Sequence, residues 1–400
     1  MHRSYARFFA PALTAAACAL LGIALAPNAR AQAPSPRIGA DGAPLPDNRI
    51  LIEWSQGAHD GPSYIVDHLD YIESLPFDGM VITPFLTSAL FDPDPTGQWF
   101  QRGVPYWTYE RISQSLDPIT PFTFHKFLHN YVDVSMYAFD YWPDLFDETG
   151  WQNDLKSVRN MGRALAAHGI AGVMFDQEDY ITWSWHGWAY PSSVAHPEKT
   201  LEQYIAQSRL RGRQTMKAFM KYNPGIQVLT VESPWLTCST APWYNWGDSI
   251  LFGAFIMGMV EAVEVPAQVI DVSGGWSYRD PQDFADSYWM RRYGVPQARC
   301  KCSTAAINAK WSDTVTVGFN VGDWDLDNTP MSPAVTRSTL TNALNATDRI
   351  VWHFSMNQDW FAAPGDEGST GWYLPRPTQE MIDAVAGARA DSGLPPAGTR

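Results

Sequence analysis

The sequence predicts an α/β protein built as one (β/α)8 TIM barrel, a single domain with long aromatic-rich loops after its strands. Three observations point there. Short apolar runs alternate with helix-periodic segments from residue 49 onward, the pattern of a parallel sheet wrapped by helices. The stretch from Gly169 to Tyr180 runs apolar and then breaks into Asp176, Glu178 and Asp179. A strand covered on both faces has no solvated side to carry polar residues, so such a run reads as a buried parallel strand with its acids at the C-terminal end. In a (β/α)8 barrel that end carries the active site. Finally, 400 residues suit one barrel with elaborated loops, and no internal repeat is visible beyond the strand-helix alternation.

The chain ends are set apart by composition. Residues 1–31 have the layout of a secretory signal, with basic Arg3 and Arg7, an apolar run from Phe8 to Ala26, and small residues around Ala29 and Ala31. The mature chain is expected to begin near Gln32. Pro11 and Pro27 argue against a retained anchor, so the expected location is secreted or periplasmic with no membrane contact after signal removal. Residues 32–48 are rich in Pro, Ala and Gly and read as a linker, 49–388 as the catalytic barrel, and 389–400 as a flexible tail. The formal charge of −14 becomes three units more negative once Arg3, Arg7 and Arg30 leave, which suits neither nucleic acid nor anionic lipid. Cys18 leaves with the signal. Cys238, Cys300 and Cys302 then allow one bridge or three unpaired thiols, with no metal-ligand spacing around them.

The strands are expected at Arg49 to Trp54, Gly79 to Thr83, 133–140, Ile170 to Asp176, Ile226 to Val231, Ile250 to Val260, Val315 to Asn320 and Arg349 to Ser355. Helices are expected from about Pro62 to Leu75, from about Glu202 to Tyr222 and near Pro333 to Leu344. The most readable helix precedes the fourth strand, where Leu155, Val158, Met161 and Leu165 recur at helical spacing. Thr149 can cap its start, and Gly169 ends it.

On that scaffold Glu53, Asp140, Asp176, Glu178 and Glu232 all fall at C-terminal ends of strands and converge on one face. Alternation puts Asp176 and Glu178 on the same side of their strand. Two carboxyls with different proton affinities are what glycosidic cleavage needs, one to protonate the leaving oxygen and one to attack or to stabilise the oxocarbenium-like centre. A negative neighbour raises the proton affinity of its partner, so Asp176 can keep Glu178 protonated near neutral pH. Aromatic residues make up 14% of the chain, and many follow strands, among them Trp54, Tyr137, Trp185, Trp235, Trp276, Trp352 and Trp360. Sugar rings stack their C–H faces on such rings, so a carboxylate cluster walled by Trp suits a carbohydrate cleft. The expected catalytic residues are therefore Asp176, Glu178 and Glu232. The expected sugar contacts are Glu53, Trp54, Tyr137, Asp140, Trp185, His186, Trp235, Trp352 and His353.

The run Gly172-Val-Met-Phe-Asp-Gln-Glu178 resembles the fourth-strand signature of the family 18 chitinases, Asp-Gly-x-Asp-x-Asp-x-Glu. The resemblance implies Glu178 as the proton donor, Asp176 as its supporting carboxylate, and Trp352 as the last-strand Trp. Ala171 and Met174 stand where that family has two further acids. The region from Asp144 to Tyr180 is also similar to a poorly characterised set of bacterial barrel glycosidases. A second template, that of the α-amylase-related clans, would make Asp176 the nucleophile and Glu232 the acid/base.

Weaker signals are read as structural. The acidic run from Asp323 to Asn328 lacks the central Gly and closing Glu of a calcium loop and reads as a solvated loop. His125 and His129, on an expected helix, read as a surface pair. No metal and no organic cofactor is expected. The rival from another class is a non-catalytic glycan-binding barrel protein, and a metal-dependent hydrolase is disfavoured because the strand ends carry acids without matching histidines.

Overall fold

The computed structural model describes residues 48–55, 59–83, 106–135, 144–176, 190, 195–231, 250–294, 303–325, 329–366 and 374–398. Among the described residues nine strands form one sheet: β1 Ile50–Ser55, β2 Gly79–Ile82, β3 Tyr131–Ser135, β4 Gly172–Asp176, β5 Gln227–Thr230, β6 Gln268–Asp271, β7 Val315–Val317, β8 Phe319–Gly322 and β9 Ile350–Ser355. Every pairing is parallel, in the order β7-β6-β5-β4-β3-β2-β1-β9-β8. Only Gly318 separates β7 from β8. The two are halves of one stave, β7 pairing with β6 and β8 with β9, so the sheet closes as a barrel of eight staves. At the break a Cβ on Gly318 would lie 2.6 Å from the Ile350 carbonyl oxygen, so only glycine passes there.

Alternation divides the strand residues between two cores. Ile52, Val81, Met174, Leu229, Ile270 and Trp352 fill the barrel interior. Leu51, Ile82, Val134, Val173, Val228 and Val351 face the surrounding helices. At the N-terminal end a polar belt crosses the interior, with the Tyr131 hydroxyl donating to Gln227 Oε1 at 2.7 Å and Arg349 donating to Gln268 at 3.2 Å.

The helices are α1 Pro62–Asp67, α2 Leu69–Ile72, α3 Tyr109–Leu116, α4 Glu148–His168, α5 Leu201–Met220, α6 Ile250–Ala262, α7 Pro281–Trp289, α8 Ala305–Thr314, α9 Pro333–Ala346 and α10 Gln379–Asp391, with a π-helical turn at Met290–Gly294 after α7. Helix α4 ends as its sequence predicts, on Gly169 at φ 71°, but its cap is Asp147 rather than Thr149: the Asp147 carboxylate accepts the Thr149 N–H at 3.0 Å. The expected helix from Pro62 to Leu75 is broken at His68 into α1 and α2, and the segment holding His125 and His129 is not helical.

Three further expectations are corrected. Ile250 to Val260, expected as the sixth strand, lies in helix α6, and the strand is Gln268–Asp271 instead. Helix α6 is buried on nearly every side, so its sequence has no polar stripe to reveal a helical period. Gly212 and Gly258 let it approach α5 closely, since Cβ atoms there would lie 1.9 and 2.1 Å from backbone oxygens of Phe255 and Arg209. The third strand begins earlier than expected, at Tyr131, and its described part is Tyr131–Ser135, the expected residues 136–140 lying outside the described residues. Finally, the expected flexible tail from 389 is packed as far as Gly398: α10 runs to Asp391, Leu394 is buried, and Arg389 forms a buried ion pair with Asp78. Among the described residues no helix is long and apolar enough to cross a membrane.

Candidate active site

Strand β4 delivers Asp176 to the inner face at the C-terminal end of the barrel, two residues beyond the interior Met174. Strand β3 delivers a second acid. Asp133 lies two residues beyond the interior Tyr131 and pairs in register with Met174, while Ser135 pairs with Asp176. A third acid, Asp60, comes from the segment between β1 and α1, held to the end of β2 by a bond from the Thr83 N–H to its carbonyl oxygen. All three are buried, Asp60 at 8% exposure and Asp133 and Asp176 at 6%.

Burial penalises the charged form of a carboxyl, and neighbouring carboxylates add to the penalty. Asp133 is accordingly held well above the usual carboxylate range, first by burial and then by the charges of Asp176 and Asp60. Burial pushes Asp60 up to about 8, with the Asp359 carboxylate adding to the effect. A carboxyl that binds its proton more tightly in the folded than in the unfolded chain favours folding fully at acid pH, and that contribution is lost as pH rises through its folded value. For Asp60 the window runs from the unfolded value, about 4, to about 8. Urea unfolding of the native chain should therefore show stability falling between pH 5 and pH 8, and Asp60→Asn should flatten that fall; identical slopes in the two proteins would show that Asp60 ionises normally.

Across the barrel from β3 and β4, in the order of the staves, lies an aromatic platform. Trp54 at the end of β1 packs on Trp352 and Phe354 of β9 at centroid distances of 5.4 and 5.2 Å. Trp276, after β6, stacks on Trp324, after β8, at 5.0 Å and 20°, and meets Trp352 edge-on at 5.3 Å. The Trp352 indole N–H is satisfied by the Val272 carbonyl at 3.0 Å. Trp352 is buried and so serves as the base of the platform, whereas Trp54, Trp276 and Trp324 keep part of their surface open.

The sequence-predicted residues are brought together only in part. Asp176, Trp54 and Trp352 lie on the inner side of the barrel. Glu53 and His353 do not reach it. Alternation turns both outward, where they form a buried pair, Glu53 Oε2 to His353 Nδ1 at 2.7 Å, with the His353 ring against Phe77 and Trp360. Burial raises Glu53 above the usual carboxylate range against the opposing pull of His353. Burial alone would lower His353, but the carboxylates of Glu53 and Asp323 outweigh it and raise the imidazole. Trp360, another strand-following aromatic, belongs to the same outer layer. Glu178, Glu232, Tyr137, Asp140, Trp185, His186 and Trp235 lie outside the described residues, as do Cys238, Cys300 and Cys302.

Asp323 is not the solvated loop residue that its sequence suggests. It is buried and accepts the N–H groups of Met356 and Asn357 at 3.1 and 2.8 Å, which ties the end of β8 to the end of β9. Nearby, His59 and Asp359 form a second buried pair at 2.5 Å. Sequence reading missed Asp60, Asp133 and this pair. For Asp133 the signal was present, because Tyr-Val-Asp-Val-Ser from Tyr131 alternates, but placing the strand two residues late hid it. Asp60 sits in a turn-like stretch with nothing to distinguish it. Among the described residues no group of three His, Cys, Asp or Glu side chains is placed to hold a metal ion.

No family model and no curated protein matches the chain. Solved structures do. The GH5_18 protein from Streptomyces cattleya, determined in complex with GlcNAc, is 13% identical over 88% of this chain and 82% of its own, with a TM-score of 0.50. The fold is shared with a glycoside hydrolase. The exo-β-1,4-mannosidase Op5Man5 from Opitutaceae bacterium strain TAV5 is 14% identical over 89% of this chain, with a TM-score of 0.47, and this chain spans 61% of its length. A hyperthermophilic endocellulase from the archaeon Pyrococcus horikoshii is 14% identical over 88% of this chain and 94% of its own, with a TM-score of 0.45.

Proposed function

We propose that the chain is an exported glycoside hydrolase that cleaves a poly- or oligosaccharide with carboxyl groups alone, Asp176, Glu178 and Glu232 forming its catalytic set. The observation that carries this reading is the pairing of inward carboxyls on β3 and β4 with an aromatic platform on the opposite staves. A sugar laid on the platform presents its ring face to the indoles and its glycosidic bond to the acids. In the reaction Glu178 donates a proton to the leaving oxygen while ionised Asp176 faces the developing positive charge, as nucleophile or as support, with Glu232 as the second carboxylate. The likeness of β4 to the family 18 signature supports Glu178 as the donor. Ala171 and Met174, where that signature has acids, favour a mechanism that does not draw on an N-acetyl group of the substrate.

Digestion of a polysaccharide panel, with product anomers followed by NMR, tests the reading and reports substrate and stereochemistry together. Turnover of at least one glycan supports it. Platform-dependent binding with no turnover on any glycan would instead make the chain a glycan-binding barrel. In an active protein, Trp276→Ala or Trp324→Ala should raise KM about 5- to 30-fold with little change in kcat, the loss of roughly 1 to 2 kcal/mol of stacking. A kcat effect as large as the KM effect would place these rings in the chemical step. Export is tested by N-terminal sequencing of the secreted or periplasmic chain, which should begin near Gln32.

A further inference from the structure

The structure places an acid beside Asp176 that the proposed mechanism does not use. We propose that Asp133 is a positioning residue which shares a proton with Asp176, holding that carboxylate ionised and aimed at the barrel mouth. The inference rests on the reading of Asp176 as a catalytic carboxylate, and it deepens that reading.

Geometry carries it. Asp133 and Asp176 project from adjacent staves toward the same interior, one rung apart in register, on a wall whose hydrogen-bonding partners are fixed by β-pairing. Asp133 is more than nine-tenths buried, and its Oδ1 has no hydrogen-bond partner among the described residues. A hydrogen bond from the Val134 backbone bears on its carboxyl. Among the described residues the titratable groups bearing on it are Asp176 from β4 and Asp60 from the segment before α1, both acids. Tyr131, on the same face one pleat lower, is occupied with Gln227. An orphaned buried carboxyl oxygen beside a second acid is satisfied when it carries a hydrogen and donates it. Two acids that cannot both ionise at close range then hold one proton between them. The proton stays on Asp133, its O–H is given to the Asp176 carboxylate, and no bond to carbon changes.

The pair would titrate in two macroscopic steps that belong to both groups. The test is carboxyl-carbon NMR of the full chain labelled at aspartate, read with Asp133→Asn, Asp133→Leu and Asp176→Asn. The native chain should show two coupled steps separated by about 2 pH units or more. Asp133→Asn should leave a single step, and Asp133→Leu, which removes the donor, should move the remaining step upward by about one pH unit. In turnover, Asp133→Asn should keep activity within about tenfold at neutral pH, and Asp133→Leu should lose about a hundredfold and carry the acid limb of kcat/KM upward with the Asp176 step. An Asp133 carboxyl titrating in the ordinary range, or an Asp176 step unmoved by Asp133→Leu, would overturn the proposal even if the chain is a glycosidase. Coupled titration with full turnover by Asp176→Asn would leave the shared proton standing and remove Asp176 from the chemistry.

Discussion

Asp176→Asn is expected to lower kcat/KM, on whichever glycan the native chain cleaves, by about a thousandfold or more. The substitution keeps the shape of the side chain and removes only its ability to hold a charge. That ability is what a carboxylate beside an oxocarbenium-like centre contributes, because positive charge develops there only in the transition state. The protein should not lose stability in exchange. Asp176 is buried and its charge raises the cost of ionising Asp133, so replacing it by a neutral amide of the same shape removes a buried charge and leaves no cavity. The expected signature is therefore a collapse of turnover with an unfolding midpoint unchanged or raised. A parallel loss of cooperative unfolding would identify Asp176 as a structural residue.

How much of this was legible in the chain depends on what each element shows to water. β4 was readable because it is apolar on both faces and ends in acids, and because α4 before it has a wet face that exposes its period. Helix α6 was not, since burial on nearly every side removed the polar stripe that distinguishes helix from strand. The same ambiguity displaced β6, and with it the position of Trp276, whose stacking on Trp324 no sequence spacing announces. Glu53 and His353 show a different limit. Both sit at strand ends where function is expected, yet a shift of one residue along a strand reverses the face, and these two face away from the barrel interior. Register, which decides between site and scaffold, is set by pairing with neighbouring strands and leaves little trace in any one of them.

The largest effect on stability is expected from Arg389→Ala, at about 3 to 5 kcal/mol. Composition alone assigned residue 389 to a flexible tail, and for a surface tail such a change would stay within about 0.5 kcal/mol. In the structure the guanidinium grips Asp78 with both nitrogens, Nη1 to Oδ2 at 2.6 Å and Nη2 to Oδ1 at 2.9 Å, and Nη2 also reaches the Pro395 carbonyl. Asp78 in turn accepts the Leu51 N–H at 2.9 Å, which locks the entry of β2 to β1. Both side chains are buried, so removing the cation strands a carboxylate in the protein with one N–H to satisfy it, and that desolvation penalty dominates the loss. Urea unfolding of Arg389→Ala, Asp78→Ala and the double variant distinguishes a pair from two independent contacts. The double variant should lose roughly 1 to 3 kcal/mol less than the sum of the singles, because the second deletion removes a group already unpaired. Strict additivity would mean that α10 holds the barrel through its apolar face alone.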